Sequence, residues 1–361
     1  MPRLLQKLFH GQFAGLALVI VALGAGVALY AGPLRDPFTG AERNRLLNAH
    51  TLLDTATNAS FFAIMAVGAT MVIVSGGIDL SVGATYALAG VGGALVFRAL
   101  EAQAWPPAAA VLCGLLLGAG IGFACGLLNG LLIVGLNIHP FIVTLGTMWL
   151  YRGIASVVSE SSTILVGQAL TEATKSSLGL SGSLRPVPLL AMLLVTLLGA
   201  LYLNKTVWGR HVYAVGGNAE AARFAGLRIG RVKLAVYALS GLTAGLAAFL
   251  GSSYYGGASS ADGDGYELFV IASAVVGGVS LSGGRGGVFG ALLGAVLIAL
   301  LRQSIVILNY RSQYEWIIVG AAIIIAAYLD QLKLRLSARR LAEHAVAARV
   351  SGAAKETESG T

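Results

Sequence analysis

The side chains able to do chemistry in this 361-residue chain are few and scattered. Five histidines, His10, His50, His139, His211 and His344, share no HExxH spacing, and the two cysteines, Cys113 and Cys125, lack further ligands around them, so no metal site is spelled out. Serines abound, yet no GxSxG elbow presents one as a nucleophile. The octapeptide GALYLNKT at 199–206 approaches the phosphate-cradling GxxxxGK[ST] loop, but Asn204 stands where the second glycine belongs, and the segment closes an apolar run instead of following a strand. The chain therefore reads as a non-enzyme without a nucleotide site of its own. What polar chemistry remains is of another kind: single Asp, Asn, His and Thr residues beside or inside long apolar runs, where polarity is costly and calls for a purpose.

The clearest case is SGGIDLSVG at 75–83, which interrupts an apolar stretch with two glycines and an aspartate. Gly and Asp both oppose a continuing helix, and Asp79 or Ser81 is suited to cap the helix that follows by accepting from its first amides. A broken helix at depth is tolerated where it faces protein or a water-filled cavity, so the break also suits a pathway wall. A second polar group, Asn129, Asn137, His139, Thr144 and Thr147, lies in NGLLIVGLNIHPFIVTLGT at 129–147, with Pro140 placed to open a helix. Such groups line a solute path or bond neighbouring helices. Trp149 and Tyr151 follow as aromatic surfaces. SSADGDGYELF at 259–269 gathers Asp262, Asp264 and Glu267, but not with EF-hand spacing. It reads as a solvated acidic turn, with docking of a basic partner as the functional alternative.

These residues need a scaffold, and composition defines it. With 57% hydrophobic and 11% charged residues and a mean hydropathy of +0.80, the chain lacks the polar surface of a soluble domain, which carries about 25% charged residues. The expected fold is all-α, a polytopic transmembrane bundle of about ten spans near 12–32, 58–76, 80–98, 107–128, 139–157, 187–203, 233–251, 267–282, 287–308 and 314–330. Starting inside and alternating, the inner segments hold 15 of the 24 Lys and Arg residues, which places both termini in the cytoplasm. The net charge of +8 then reports topology, and nucleic acid is not an expected partner. The first apolar run, behind Arg3 and Lys7, is longer than a signal core and reads as a retained anchor. Cys113 and Cys125 share one span and read as small packing residues. The 49 glycines suit close helix contact in lipid.

Residues 1–330 form the transmembrane domain in this reading, with a cytoplasmic loop at 204–233, and residues 331–361 form a basic, partly disordered tail. Within the loop, AEAARFAG at 219–226 reads as a short helix capped by Asn218 and stopped by Gly226, with Glu220 and Arg223 one turn apart and able to pair. It is too short to stand alone in water and needs a dock. An internal echo links VSGGIDLSVGA at 74–84 to VGGVSLSGGRGGVFGA at 276–291, both ahead of apolar helices, which suggests a parallel internal repeat.

Four ordered motifs carry a family resemblance: SGGIDLSVGA, NGLLIVGLNIHPFIVTLGTMWLYRGIA at 129–155, GRHVYAVGGNAEAARFAGL at 209–227 and AVVGGVSLSGGRGGVFGALLGA at 274–295. The chain resembles the ribose, xylose, arabinose and galactoside permeases of bacterial ATP-binding cassette importers over about residues 58–308. The resemblance implies a multi-pass subunit of the inner membrane that imports a monosaccharide as a homodimer. Its implied partners are an ATPase subunit, which would hold the ATP and Mg, and a periplasmic or lipid-anchored sugar-binding protein. It makes 219–226 a coupling helix, with Asn218, Glu220, Arg223 and Gly226 at the ATPase contact. The expected path residues are Asp79, Ser81, Asn129, Asn137, His139, Thr144 and Trp149. A related permease for a branched-chain amino acid or nucleoside is the alternative within the class. A stand-alone secondary carrier would want intramembrane acidic or histidine relays, for which only Asp79 and His139 come close.

Overall fold

The computed structural model describes residues 12–35, 42–176, 186–311 and 313–325, with 327–328 and 331–332. Arg3, Lys7 and most of the basic tail lie outside the described residues. Each of the ten apolar runs becomes a helix: α1 (Gln12–Tyr30), α2 (Ala49–Val74), α3 (Val82–Ala102), α4 (Pro107–Gly135), α5 (Pro140–Val158), α7 (Pro186–Lys205), α10 (Ile229–Tyr255), α11 (Tyr266–Val276), α12 (Val288–Ile307) and α13 (Gln313–Ile325). Between them lie α6 (Gln168–Lys175), α8 (Val207–Gly217) and α9 (Ala219–Phe224), and two short antiparallel pairs, β1 (Pro33–Arg35) with β2 (Glu42–Asn44) and β3 (Ile164–Leu165) with β4 (Gly257–Ala258).

Seven of these helices, α2, α3, α4, α5, α7, α10 and α12, are long and apolar enough to cross a membrane alone. The run at 267–282 does not form a whole span. Its helix α11 has 11 residues, rising about 16 Å, half the bilayer core. It stops where Gly278 turns left-handed at φ 92°. The run at 58–76 errs the other way: α2 starts at Ala49, because Asn48 caps it by accepting from the Thr51 amide and the polar residues that follow remain helical.

The core is built around α2, whose residues 59–74 are all buried. Aliphatic and small residues of α10, α11 and α12 cover it from several sides. Against α10, antiparallel α4 lays a glycine every fourth residue. A methyl at Gly122 or Gly126 would collide with the carbonyl of Gly241 or Tyr237. Small residues there let two backbones touch where lipid supplies no hydrophobic drive for association.

Two segments leave the helical pattern inside this bundle. After Val74 the chain turns at Gly76 (φ 77°) and climbs back beside α10, so that Ile78 accepts from Tyr237 Oη and Asp79 meets Ser240. From the other end, residues 256–265 leave α10 and descend along α3: Ala258 packs on Gly90, and Gly263 lies against Gly83. Gly83 sits near the inner start of the 21-residue α3, roughly 29 Å below its last residue at 1.5 Å per residue. The acidic loop is therefore no surface turn, since it reaches the level at which the other broken segment ends.

The 277–287 turn repeats the closure of the 75–81 segment. Gly76 and Gly77 amides donate to the Ile73 and Val72 carbonyls, and Gly278 and Val279 amides donate likewise to Val275 and Ala274. Both glycines at the left-handed position, Gly76 and Gly278, allow a Schellman-type end. The two turns also touch, the Gly284 amide donating to the Val74 carbonyl at 2.8 Å.

Candidate functional site

The buried polar centre of the molecule grows from Asp79, only 3% exposed. Its Oδ1 accepts from the Ser81 amide (3.0 Å) and Ser81 Oγ (2.7 Å), and its Oδ2 accepts from Ser240 Oγ of α10 (2.9 Å). Ser81 holds the N-cap position of α3 by backbone, but its hydroxyl turns back to Asp79 and does not cap the helix. Asn129 of α4 extends the chain of bonds: its Nδ2 donates to Ser81 Oγ at 2.7 Å, and its Oδ1 accepts from Tyr151 Oη of α5 at 3.1 Å. Tyr151 Oη also contacts the Cys125 carbonyl at 2.9 Å. Four helices and the broken segment are thus tied at one depth by a satisfied network, the condition under which buried polar groups rigidify a core.

The remaining expected path residues separate. Thr144 is buried and donates to the Pro140 carbonyl of its own helix at 2.9 Å, while Thr147 donates to Thr144. Both hydroxyls are therefore satisfied within α5 and buried. Asn137 adopts a left-handed φ of 53°, and His139 caps α5 by accepting from the Phe141 amide. Both face a groove of about 420 Å³ shared with Arg223 and Lys233, at the same end of the bundle as α9. Trp149, 69% exposed, projects from the middle of α5. Both cysteines are free thiols.

The short helix α9 has the predicted caps. Asn218 Oδ1 accepts from the Ala221 amide at 2.9 Å, and Gly226 (φ 82°) ends it with the Leu227 amide donating to the Ala222 carbonyl. Glu220 and Arg223 are exposed and do not pair: among the described residues the ion pairs are His50 with Asp54 and Arg302 with Glu315. Phe224 stands 87% exposed at the end of α9. Immediately before it, α8 abuts both glycine-rich turns. Gly216 lies against the Val74 carbonyl and Gly284, and Tyr213 Oη donates to the Gly286 carbonyl at 2.8 Å. Burial under that turn pushes the Tyr213 phenol above its ordinary pKa.

Several polar residues escaped the sequence reading. Ser240 is one serine in a span of small residues and carries no signal. Arg302 of α12 is another: its Nε lies 2.5 Å from Glu315 Oε1, and its guanidinium stacks over Phe62 and Phe269 at 5.0 and 4.9 Å. Arg152 of α5 donates to the carbonyls of Ser260 (2.6 Å) and Asp262, fastening the descending loop to α5. An arginine near the end of an apolar run announces neither partner.

Long apolar helices interrupted at depth from both ends, with polar groups gathered on the breaks, define a multi-pass membrane protein of the transport class. The family model described as branched-chain amino acid transport system / permease component matches residues 51–327, and the chain belongs to that permease family. Among curated relatives, the fructose import permease of Rhizobium meliloti is 32% identical over 339 residues, covering 91% of this chain and 88% of the relative. The ribose import permease of Bacillus subtilis is 34% identical, covering 91% and 94%. The D-allose transport permease of Escherichia coli K12 is 33% identical, covering 90% and 91%. No solved structure matches the chain.

Proposed function

We propose that the chain is the membrane permease subunit of an ATP-binding cassette importer that carries a monosaccharide across the inner membrane. The observation that carries this reading is the set of relatives: the permeases of fructose, ribose and allose each align along about nine-tenths of this chain. The family model names a branched-chain amino acid system, but these near-complete alignments all point to sugars.

In this reading two copies form the working unit, an ATPase subunit binds ATP and Mg, and a sugar-binding protein delivers the substrate. The permease itself catalyses no reaction. Helix α9, with its exposed Phe224, is the contact for the ATPase, Phe224 filling an apolar pocket and Glu220 and Arg223 pairing across the rim. Motion there has a short route inward. Asn218 joins α9 directly to α8, and α8 leans on both glycine-rich turns, one of which leads into Asp79. Closure of the ATPases would shift α8 and the turns together, against a polar centre that holds α3, α4, α5 and α10 in register.

The test is uptake into liposomes holding the permease, its ATPase and an internal supply of Mg-ATP, with the binding protein outside. Radiolabelled ribose, fructose, allose or galactose is expected to accumulate only with ATP. Accumulation driven by an ion gradient without ATP would instead assign a stand-alone carrier.

A further inference from the structure

A pocket of about 390 Å³ lies between α5 and the descending loop, lined by Trp149, Arg152, Ser156, Asp264 and Glu267 together with Met148. Its size lies within the roughly 300–1,000 Å³ of small-molecule sites. Its depth makes it informative. Arg152 is the thirteenth of the 19 residues of α5, so it stands about 18 Å from the inner end of that helix at 1.5 Å per residue. A bilayer core is about 30 Å thick, which puts these charges near its middle.

Asp264 is exposed there, and Arg152 and Glu267 are partly so. Neither carboxylate forms an ion pair with Arg152 among the described residues. Charged groups open to hydrocarbon at mid-depth are strongly disfavoured, and such groups face the bundle interior or a water-filled cavity. This pocket opens on the surface of the protomer, away from the packed core, so water must reach it. Arg152 Nη1 is held by two loop carbonyls, which fixes the guanidinium and aims its remaining N–H donors. Glu267 Oε2 is buried without a hydrogen-bond partner.

We propose that this pocket is where the solute in transit touches the protein, and that it takes a neutral polyhydroxylated ligand, a monosaccharide. The inference rests on the proposed function and adds its contact site. Trp149 offers a broad, exposed ring for the C–H face of a pyranose or furanose ring. Asp264 and Glu267 accept from sugar hydroxyls, and Arg152 donates to hydroxyl or ring oxygens. Two carboxylates around one guanidinium leave an excess of acceptors, which favours hydroxyl donors and repels anions. Asp79 and Asn129 bond to protein partners, Asn129 to Tyr151 beside Arg152 on α5.

The experiment uses the full permease with its ATPase and binding protein in liposomes. In a background carrying Cys113→Ala and Cys125→Ala, Asp264→Cys is labelled with a cationic, membrane-impermeant thiosulfonate, beside Leu194→Cys on the exposed apolar face of α7. The site predicts labelling at Asp264→Cys at least tenfold faster than at Leu194→Cys, slowed severalfold when transported sugar and ATP are present. It also predicts that Trp149→Ala cuts sugar uptake at least tenfold while Trp149→Phe restores most of it. Labelling no faster than the control, labelling indifferent to sugar, or equal uptake by Trp149→Ala and the parent would each overturn the site while parental import stands. Absence of ATP-driven import of all four sugars by the parent complex is the separate result that would overturn the functional reading and this site with it.

Discussion

At the scale of single residues, the molecule turns on a carboxylate that receives three hydrogen bonds in an apolar interior. Removing it leaves three donors without a partner, so Asp79→Ala should destabilise the purified permease by about 1–3 kcal/mol per orphaned buried group at most, and by less where neighbours relax. Asn129 and Tyr151 act through one shared bond. A double-mutant cycle of Asn129→Ala and Tyr151→Phe, followed by thermal denaturation in detergent, should give a coupling of about 0.5–3 kcal/mol. Strict additivity would show that the bond carries no energy. Asp79, Ser81 and Asn129 were legible in the sequence because a polar side chain in an apolar run is conspicuous. Ser240 was not, since serine serves equally as a small packing residue. Thr144 and Thr147 give no clear signal for a related reason: a hydroxyl in a helix can satisfy itself on the carbonyl three or four residues back, as both do.

At the scale of elements, the seam between α4 and α10 sets how closely two spans approach. Gly122→Ala drives a methyl into the Gly241 carbonyl, whereas Gly120 on the same helix has open space beside it. Overpacking of this kind costs about 1–3 kcal/mol, so the melting temperature of Gly122→Ala should fall by several degrees while that of Gly120→Ala should stay near the parent. Equal melting temperatures would mean that the helices part freely. Helix α9 makes a prediction about work instead of stability. Arg223→Glu combined with Glu220→Ala should leave insertion and folding intact but abolish sugar-dependent uptake, read as ATP hydrolysis without import. Unchanged uptake would remove both residues from coupling. The apolar runs and the caps of α9 could be read directly, because twenty apolar residues or an Asn before and a Gly after a short helical stretch have few other meanings. The descending loop could not. Averaged hydropathy treats a half-helix ended by Gly277 and Gly278 as it treats a whole span, and only the packing of Gly263 on Gly83 shows how deep the acidic residues go.

At the scale of the whole molecule, two broken segments enter from opposite ends and meet at the level of Asp79 and Gly83, with α8 and α9 beneath one of them. This arrangement places irregular backbone at mid-depth and the exposed face of α9, with Phe224, at one end of the bundle. The helical membrane bundle and its family were legible from composition and four motifs, while the meeting of the two broken segments was not, because it depends on contacts between segments far apart in the chain. A permease subunit is defined most directly by the subunits it binds. Native mass spectrometry of the complex, extracted gently from its own host membrane, should find two copies of this chain bound to ATPase subunits. Finding the chain repeatedly without any ATPase, across several mild extractions, would contradict the account.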